Sequence, residues 1–214
     1  LFLMGRDSDT FNRWEAGQRL ALNRMLAAVS GPDLVLDAAF VDAMRGVLRH
    51  PTLDAAFKEM LLAPPSEGYV AEQLTVVDPQ RIHAVRESLQ LQLAQALRED
   101  WVWAWETHQL QGGYSPDPDS SGKRALANQA LAMLCLDATA RGEAIWQGRA
   151  YQRFKDASNM TDRQGALVAL LGAHSELADL ALARFHDLFK DDELVIDKWF
   201  ALQATAPERD GRVF

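Results

Sequence analysis

The chain has 214 residues, 48% apolar and 24% charged, the balance of a soluble globular protein with apolar mass for one large domain or two small ones. Its 22 basic and 30 acidic residues give a formal charge of -8, mixed along the chain, which argues against a nucleic-acid partner and against an anionic membrane surface. A single cysteine excludes an intrachain disulfide framework and suits a reducing, cytoplasmic compartment, and no apolar run approaches the roughly 20 residues that span a bilayer.

In chain order, Leu1-Phe-Leu-Met-Gly-Arg6 is too short for a signal peptide and reads like the end of a preceding strand. With no initiator methionine, it is the expected start of a piece of a longer chain. Helical periodicity then takes over. The spacing predicts helices over Phe11 to Ala28, Asp33 to Leu48, Asp54 to Leu62, and a turn or two over Gly68 to Leu74. Leu74-Thr-Val-Val77 is the nearest approach to a strand, and Asp78-Pro79 ends it.

The longest predicted helix runs from Pro79 to His108, with Asp78 as N-cap and Pro79 at the first helical position. Val85, Leu89, Leu93, Leu97, Trp101 and Trp105 recur at every fourth residue and form its apolar stripe. Trp101 and Trp105 share a face while Trp103 points away, so the three do not form one aromatic box. Two are expected to pack inward and the third to meet a neighbouring helix.

Gln111-Gly-Gly-Tyr-Ser-Pro-Asp-Pro-Asp-Ser120 is rich in turn formers, and residues 111–121 read as a surface loop inside one domain spanning 1–214. Helices fit Gly122 to Ala140, Gly142 to Lys155, Thr161 to Leu171, Ser175 to Phe189 and Leu194 to Ala204. Thr161 and Gln164 match a capping box. Cys135, inside Leu131-Ala-Met-Leu-Cys-Leu136, reads as a buried packing thiol. The fold class is therefore all-α: stacked antiparallel helix pairs in a solenoid-like array of the armadillo or HEAT kind.

Chemistry is sparse, and no catalytic residue stands out. The H-E-x-x-H motif is absent, and no two of His50, His83, His108, His174 and His186 are four apart. His83 and Glu87 read as an exposed pair on one helix face, since zinc needs three or four ligands. His50 and His108 lie near helix ends, where a partly cationic ring suits the dipole. His186 beside Asp187 has no serine at a telling spacing.

Ser120-Ser-Gly-Lys123 matches S-x-x-K without its companion motifs, and Asp117 and Arg124 break a phosphate-loop reading. Asp117, Asp119 and Ser121 place oxygens at positions one, three and five of a calcium loop with Gly122 at six, but Asn128 stands where the bidentate glutamate belongs. The competing reading is a solvated turn. Arg13, Trp14, Glu15 and Gln18 suggest a polar network at a domain junction rather than an acid–base site.

Three runs are more specific. Phe11-Asn-Arg-Trp-Glu-Ala-Gly-Gln18, Asn159-Met-Thr-Asp162 and Val195-Ile-Asp-Lys-Trp-Phe200 resemble the F-x-R-W-[DE]-A-x-Q, N-x-M-T-D and V-x-D-K-W-F runs of the bacterial aminopeptidase N family, zinc metallopeptidases of the gluzincin type, also called alanyl aminopeptidases. Arg13, Trp14, Glu15, Gln18, Met160, Thr161, Asp197, Lys198 and Trp199 carry the match, and Lys123-Arg-Ala-Leu-Ala-Asn128 agrees more loosely.

The resemblance covers essentially the whole chain and implies part of that family's C-terminal helical domain, which caps the active site and restricts access of peptides. It implies no zinc ligand here: zinc belongs to the parent enzyme's catalytic domain, this segment's implied partner along with the parent's peptide substrates. Asn159 and Asp162 are the candidates for the substrate chamber. Cutting after Phe214 is expected to leave an apolar flank and a tendency to self-associate. Two alternatives are a freestanding α-solenoid scaffold that binds peptides or proteins, and an independent hydrolase with an unrecognised site.

Overall fold

Short side chains that accept from exposed helical N–H groups set most helix starts. In a computed structural model, which describes Met4 and residues 7–208, the carboxylates of Asp9, Asp37, Asp54, Asp78, Asp117 and Asp192 each accept from backbone N–H groups in the following first turn. Apart from Met4, the strand-like start lies outside the described residues, as does the segment running up to Phe214.

Among the described residues there are 11 α-helices and no strand. They are α1 (Thr10–Val29), α2 (Ala38–Leu48), α3 (Ala55–Leu62), α4 (Glu67–Ala71), α5 (Pro79–Ala96), α6 (Arg98–Thr107), α7 (Pro118–Ala140), α8 (Ile145–Asp156), α9 (Met160–Gly172), α10 (Leu177–Phe189) and α11 (Glu193–Ala204). Stacked antiparallel pairs build the solenoid-like array that the periodicity predicts.

The long α7 is the hub, packing against α3, α5, α6, α8 and α9. Leu126, Ala127, Ala130, Leu131, Leu134, Cys135 and Ala138 are fully buried, which is what an axis apolar around most of its circumference requires. Each buried leucine contributes about 1.5–3 kcal/mol relative to exposure. Close approach to α3 needs Gly122: a Cβ there would sit 2.7 Å from the Ala56 backbone nitrogen. A Cβ on Gly165 would likewise meet the Asn128 amide carbon at 2.4 Å, so glycine lets α9 close on α7.

Several predicted boundaries move, each for a tertiary reason. The helix predicted from Asp33 begins only after Asp37. Gln92 of α5 donates Nε2 to Leu34 O (2.7 Å) and accepts from Leu36 N (2.9 Å), holding that segment off the helix. The helix predicted over 79–108 breaks at Leu97, where φ is -110° and ψ 20°. There Arg45 Nη2 takes Ala96 O at 3.3 Å, and Asp100 N bonds Leu97 O at 2.9 Å instead. The stripe still holds: Val85, Leu89, Leu93, Leu97 and Trp101 are buried.

Pro118 opens α7 four residues before the predicted Gly122, so the loop is shorter than 111–121. On α9 the cap is Asn159 rather than Thr161, because the Asn159 carboxamide accepts from Asp162 N. Gly142, at φ +70°, turns the chain out of α7.

Trp101 is buried, Trp105 packs edge-on to Trp146 with centroids 6.4 Å apart, and Trp103 faces the neighbouring Arg49 and Lys58 cations, as the spacing predicts. Cys135 is buried, and that burial pushes its thiol up to about 12. His108 and His50 correct the helix-dipole expectation. Desolvation, helped by nearby cations, lowers both below the ordinary imidazole value and favours the neutral ring.

Candidate functional site

Asn159 and Asp162 come together where α8 hands over to α9. Asn159 Oδ1 accepts from Asp162 N at 2.9 Å, and Asn159 Nδ2 donates to Asp162 Oδ2 at 2.9 Å. This reciprocal pair satisfies a first-turn N–H that has no helical acceptor, while the Asp162 charge sits at the positive end of α9. The other carboxylate oxygen accepts from Arg153 Nη2 at 2.9 Å, with only 17% and 16% of the two side chains exposed.

Arg153 extends the cluster. Its Nη1 donates to Gln109 Oε1 at 2.6 Å, and its guanidinium lies 4.8 Å from the Trp105 ring centroid. Gln109 Nε2 in turn donates to Trp105 O at 2.6 Å. A second guanidinium, Arg149, lies 4.4 Å over Trp146. Arg163 fixes the corner from the other side, donating to Phe154 O at 2.9 Å and to Ala157 O, which ties the first turn of α9 to the last carbonyls of α8.

The result is a cavity of about 400 Å³ whose lining includes Trp105, Leu110, Arg149, Arg153, Ser158 and Asp162. Both Asp162 oxygens are engaged, and an arginine at physiological pH does not act as a base. Such a corner presents fixed charges, a hydroxyl and aromatic edges to a polar ligand. Sequence reasoning missed Arg153, Gln109 and Trp105 as its partners. The available signal was Trp146, Arg149 and Arg153 at helical spacing on one face of α8.

The other singled-out residues sit elsewhere and are spent locally. Asp117 Oδ1 accepts from Ser120 N (2.9 Å), and Oδ2 accepts from Ser115 Oγ (2.6 Å). These bonds hold the Asp117 carboxyl well below the usual carboxylate range. Asp119 pairs with Lys123 at 2.7 Å, and Ser121 Oγ donates to Pro116 O. The candidate calcium oxygens thus lie in the cap and first turn of a helix. Among the described residues, no group of three or more His, Cys, Asp or Glu could hold a metal ion.

The first signature separates into three local roles. Arg13, buried, donates Nε to Met4 O at 3.0 Å; Gln18 Nε2 donates to Ala63 O at 3.0 Å; Glu15 pairs at the surface with Arg19 at 2.9 Å. Trp14 packs near Phe11, with centroids 6.0 Å apart. In the third signature, Trp199 Nε1 donates to Leu182 O at 2.9 Å and its ring meets His186 at 5.2 Å, while Asp197 and Lys198 are exposed. Met160 is half-buried and Thr161 exposed. His83 gains a partner that sequence did not show, Glu67, at 2.7 Å beside Glu87 at 3.2 Å.

Comparison with known proteins gives these positions a context. Residues 1–213 match the family described as "Domain of unknown function (DUF3458_C) ARM repeats". The chain is 36% identical over 209 residues to an aminopeptidase N of Caulobacter vibrioides, covering 97% of this chain and 24% of that protein. It is 32% identical over 210 residues to an aminopeptidase N of Escherichia coli, covering 96% of this chain and 24% of that protein. A crystal structure of Legionella pneumophila aminopeptidase A in complex with aspartic acid superposes with a TM-score of 0.83 at 25% identity, over 96% of this chain and 25% of that one. The chain thus spans 24% of the length of the curated relatives first named.

Proposed function

Because the chain belongs to the DUF3458_C ARM-repeat family, we propose that it is a noncatalytic helical segment of a zinc-dependent aminopeptidase that removes N-terminal residues from peptides. The observation that carries this reading is the extent of the match, 97% of the chain at 36% identity to an aminopeptidase N. The whole segment, 1–214, acts as one helical unit, working in the cytoplasm beside a catalytic domain on the same parent chain.

Its role is to wall the active site. A rigid helical surface closed over a metal centre excludes bulk water and limits which substrates enter. The Asn159–Asp162–Arg153 corner is the polar surface offered to peptides in that chamber. Its charges are pre-paired, so it orients a substrate without taking part in bond cleavage. Among the described residues no helix is long and apolar enough to cross a membrane.

A second reading, a freestanding scaffold that binds peptides, draws on one observation. An apolar groove of about 520 Å³ runs beside α5, α7 and α9, past Leu91, Met133, Leu136 and Val168. The coding sequence upstream separates the two. A reading frame continuous with Leu1 and containing H-E-x-x-H supports the aminopeptidase segment, and a start codon just upstream without that motif supports the scaffold.

A further inference from the structure

A second groove, of about 450 Å³, lies between α3, α7 and α9. Its lining includes Glu59, Asn128, Gln129, Thr161, Gln164 and Gly165, and no Lys, Arg or His. Asn128 donates Nδ2 to Thr161 O at 3.3 Å, and Gln129 donates Nε2 to Glu59 O at 3.1 Å. Those bonds identify the nitrogen and the oxygen of each amide, because the flipped assignment would set oxygen against a carbonyl oxygen.

Asn128 Oδ1 and Gln129 Oε1 are thereby left buried with no hydrogen-bond donor. Each such acceptor costs about 1–3 kcal/mol when unpaired, and native proteins tolerate few. Beside them the half-buried Glu59 carboxylate meets no cation or donor among the described residues, and burial pushes its pKa up. Ala125, Ala132 and Val168 supply an apolar wall.

Three unmatched acceptors, one of them charged, next to an apolar wall call for a donor-only cation on an aliphatic stem. A guanidinium presents five donors in a planar fork, whereas a primary ammonium presents three. We propose that the groove between α3, α7 and α9 binds a primary alkylammonium group, with the Glu59 carboxylate supplying the charge and the Asn128 and Gln129 amide oxygens the other two acceptors. Both amide oxygens are closed to solvent as the groove stands. Seating the ammonium requires each amide to turn about its soft terminal torsion, exchanging its bond to the carbonyl of Thr161 or Glu59 for one to the cation. The inference rests on this groove and not on the aminopeptidase reading.

A lysine side chain of a peptide and a free small amine share this chemistry. The test is a side-chain amide chemical-shift titration of the full 214-residue chain with 1,5-diaminopentane, with acetyl-Ala-Lys-Ala-amide, and with the same peptide acetylated on its lysine. The expected result is saturable shifts of the Asn128, Gln129 and Gln164 amides with either amine and none with the acetylated peptide. The tighter of the two amines identifies the source.

Glu59→Gln should weaken binding at least about tenfold, the effect of losing roughly 1.4 kcal/mol. Glu59→Asp, which keeps the charge on a shorter stem, should fall between. Absence of saturable shifts with both amines, equal binding by Glu59→Gln with its circular dichroism unchanged, or equal shifts with the acetylated peptide would overturn the proposal. Should Glu59→Gln fail to fold, the contrast between the charged and acetylated peptides on the unaltered chain decides.

Discussion

Replacing Gly122 by alanine tests whether the α3–α7 crossing is as tight as the geometry makes it. The added Cβ would sit 2.7 Å from Ala56 N, 3.0 Å from Ala56 Cβ and 3.3 Å from Ala56 Cα. Two of those atoms are backbone, so no rotamer change relieves the clash. Restoring ordinary contact moves α3 outward by about 0.7 Å, and a gap of that size forfeits a quarter to a half of each dispersion contact along the interface.

Phe57, Leu61 and Leu62, the buried face of α3, would loosen against their neighbours. Overpacking of this kind costs about 1–3 kcal/mol. The better helix propensity of alanine returns about 0.5–1 kcal/mol. The net expectation is a loss of about 1–2 kcal/mol, or about 2–8 °C in Tm for a chain of this size. The assay is thermal and urea unfolding followed by circular dichroism, with Gly46→Ala and Gly148→Ala as controls. Both are helical glycines where an added Cβ would meet nothing within 4 Å, and both substitutions should raise stability. A Gly122→Ala chain as stable as those controls would refute the close-crossing argument.

Four further expectations concern other parts of the fold. Asp162→Ala should cost about 2 kcal/mol in urea unfolding, because it strands a mostly buried Arg153 and removes an Asn159 bond; a cost below about 0.5 kcal/mol would make the pair an ordinary surface contact. The Glu67 hydrogen bond, aided by Glu87, raises the His83 pKa above its unfolded value. That stabilisation is therefore complete below the ordinary imidazole pKa and fades as pH rises through the folded one; with the ring 47% exposed it stays under about 1 kcal/mol, and Glu67→Gln should flatten the stability–pH curve there. Cys135, held as a buried thiol with its pKa at about 12, should react with Ellman's reagent only at the rate of unfolding, and fast labelling of the native chain would contradict its packing role. Leu194 and Phe200 are 79% and 59% exposed on α11, so Phe200→Ser with Leu194→Ser should reduce concentration-dependent self-association in sedimentation velocity; a chain that is monomeric without the changes would remove that surface as a contact site.

What the sequence made legible was whatever depends on near neighbours. Asp54 and Asp78 stand directly before apolar periodicity and do cap α3 and α5. The Trp101–Trp105 face follows from a fourfold spacing alone. Boundaries set by distant groups stayed hidden. Asp33 and Asp37 are both plausible caps, and the side chain that decides between them, Gln92, arrives from more than fifty residues away. Nothing near Leu97 announces a break, since neither proline nor glycine is present; Arg45 takes the freed carbonyl from 51 residues upstream.

The candidate corner divides in the same way. Asn159 and Asp162 stand three positions apart, the spacing of an N-cap and the N–H it satisfies, yet Thr161 and Gln164 offer the same spacing and drew the sequence reading two residues too far. Their pairing with Arg153, and through it with Gln109 and Trp105, needs the α6–α8–α9 arrangement that only folding supplies. Glu59 and Gln129 lie 70 residues apart, so the groove they share has no local signature at all.

Whether this chain itself breaks a peptide bond or leaves that to the catalytic domain of the proposed parent aminopeptidase is the question that bears most directly on the proposed role. Zinc-supplemented hydrolysis of an alanyl amide and of a protein-length polypeptide should be measured for the 214-residue chain, for the catalytic remainder of the parent enzyme, and for the two combined. The predicted result is no turnover by the chain alone, turnover by the remainder, and a selective loss of cleavage of the long substrate when the chain is added. Metal-dependent turnover by the chain alone at enzyme-like rates, or identical cleavage of both substrates with and without it, would contradict a noncatalytic walling role.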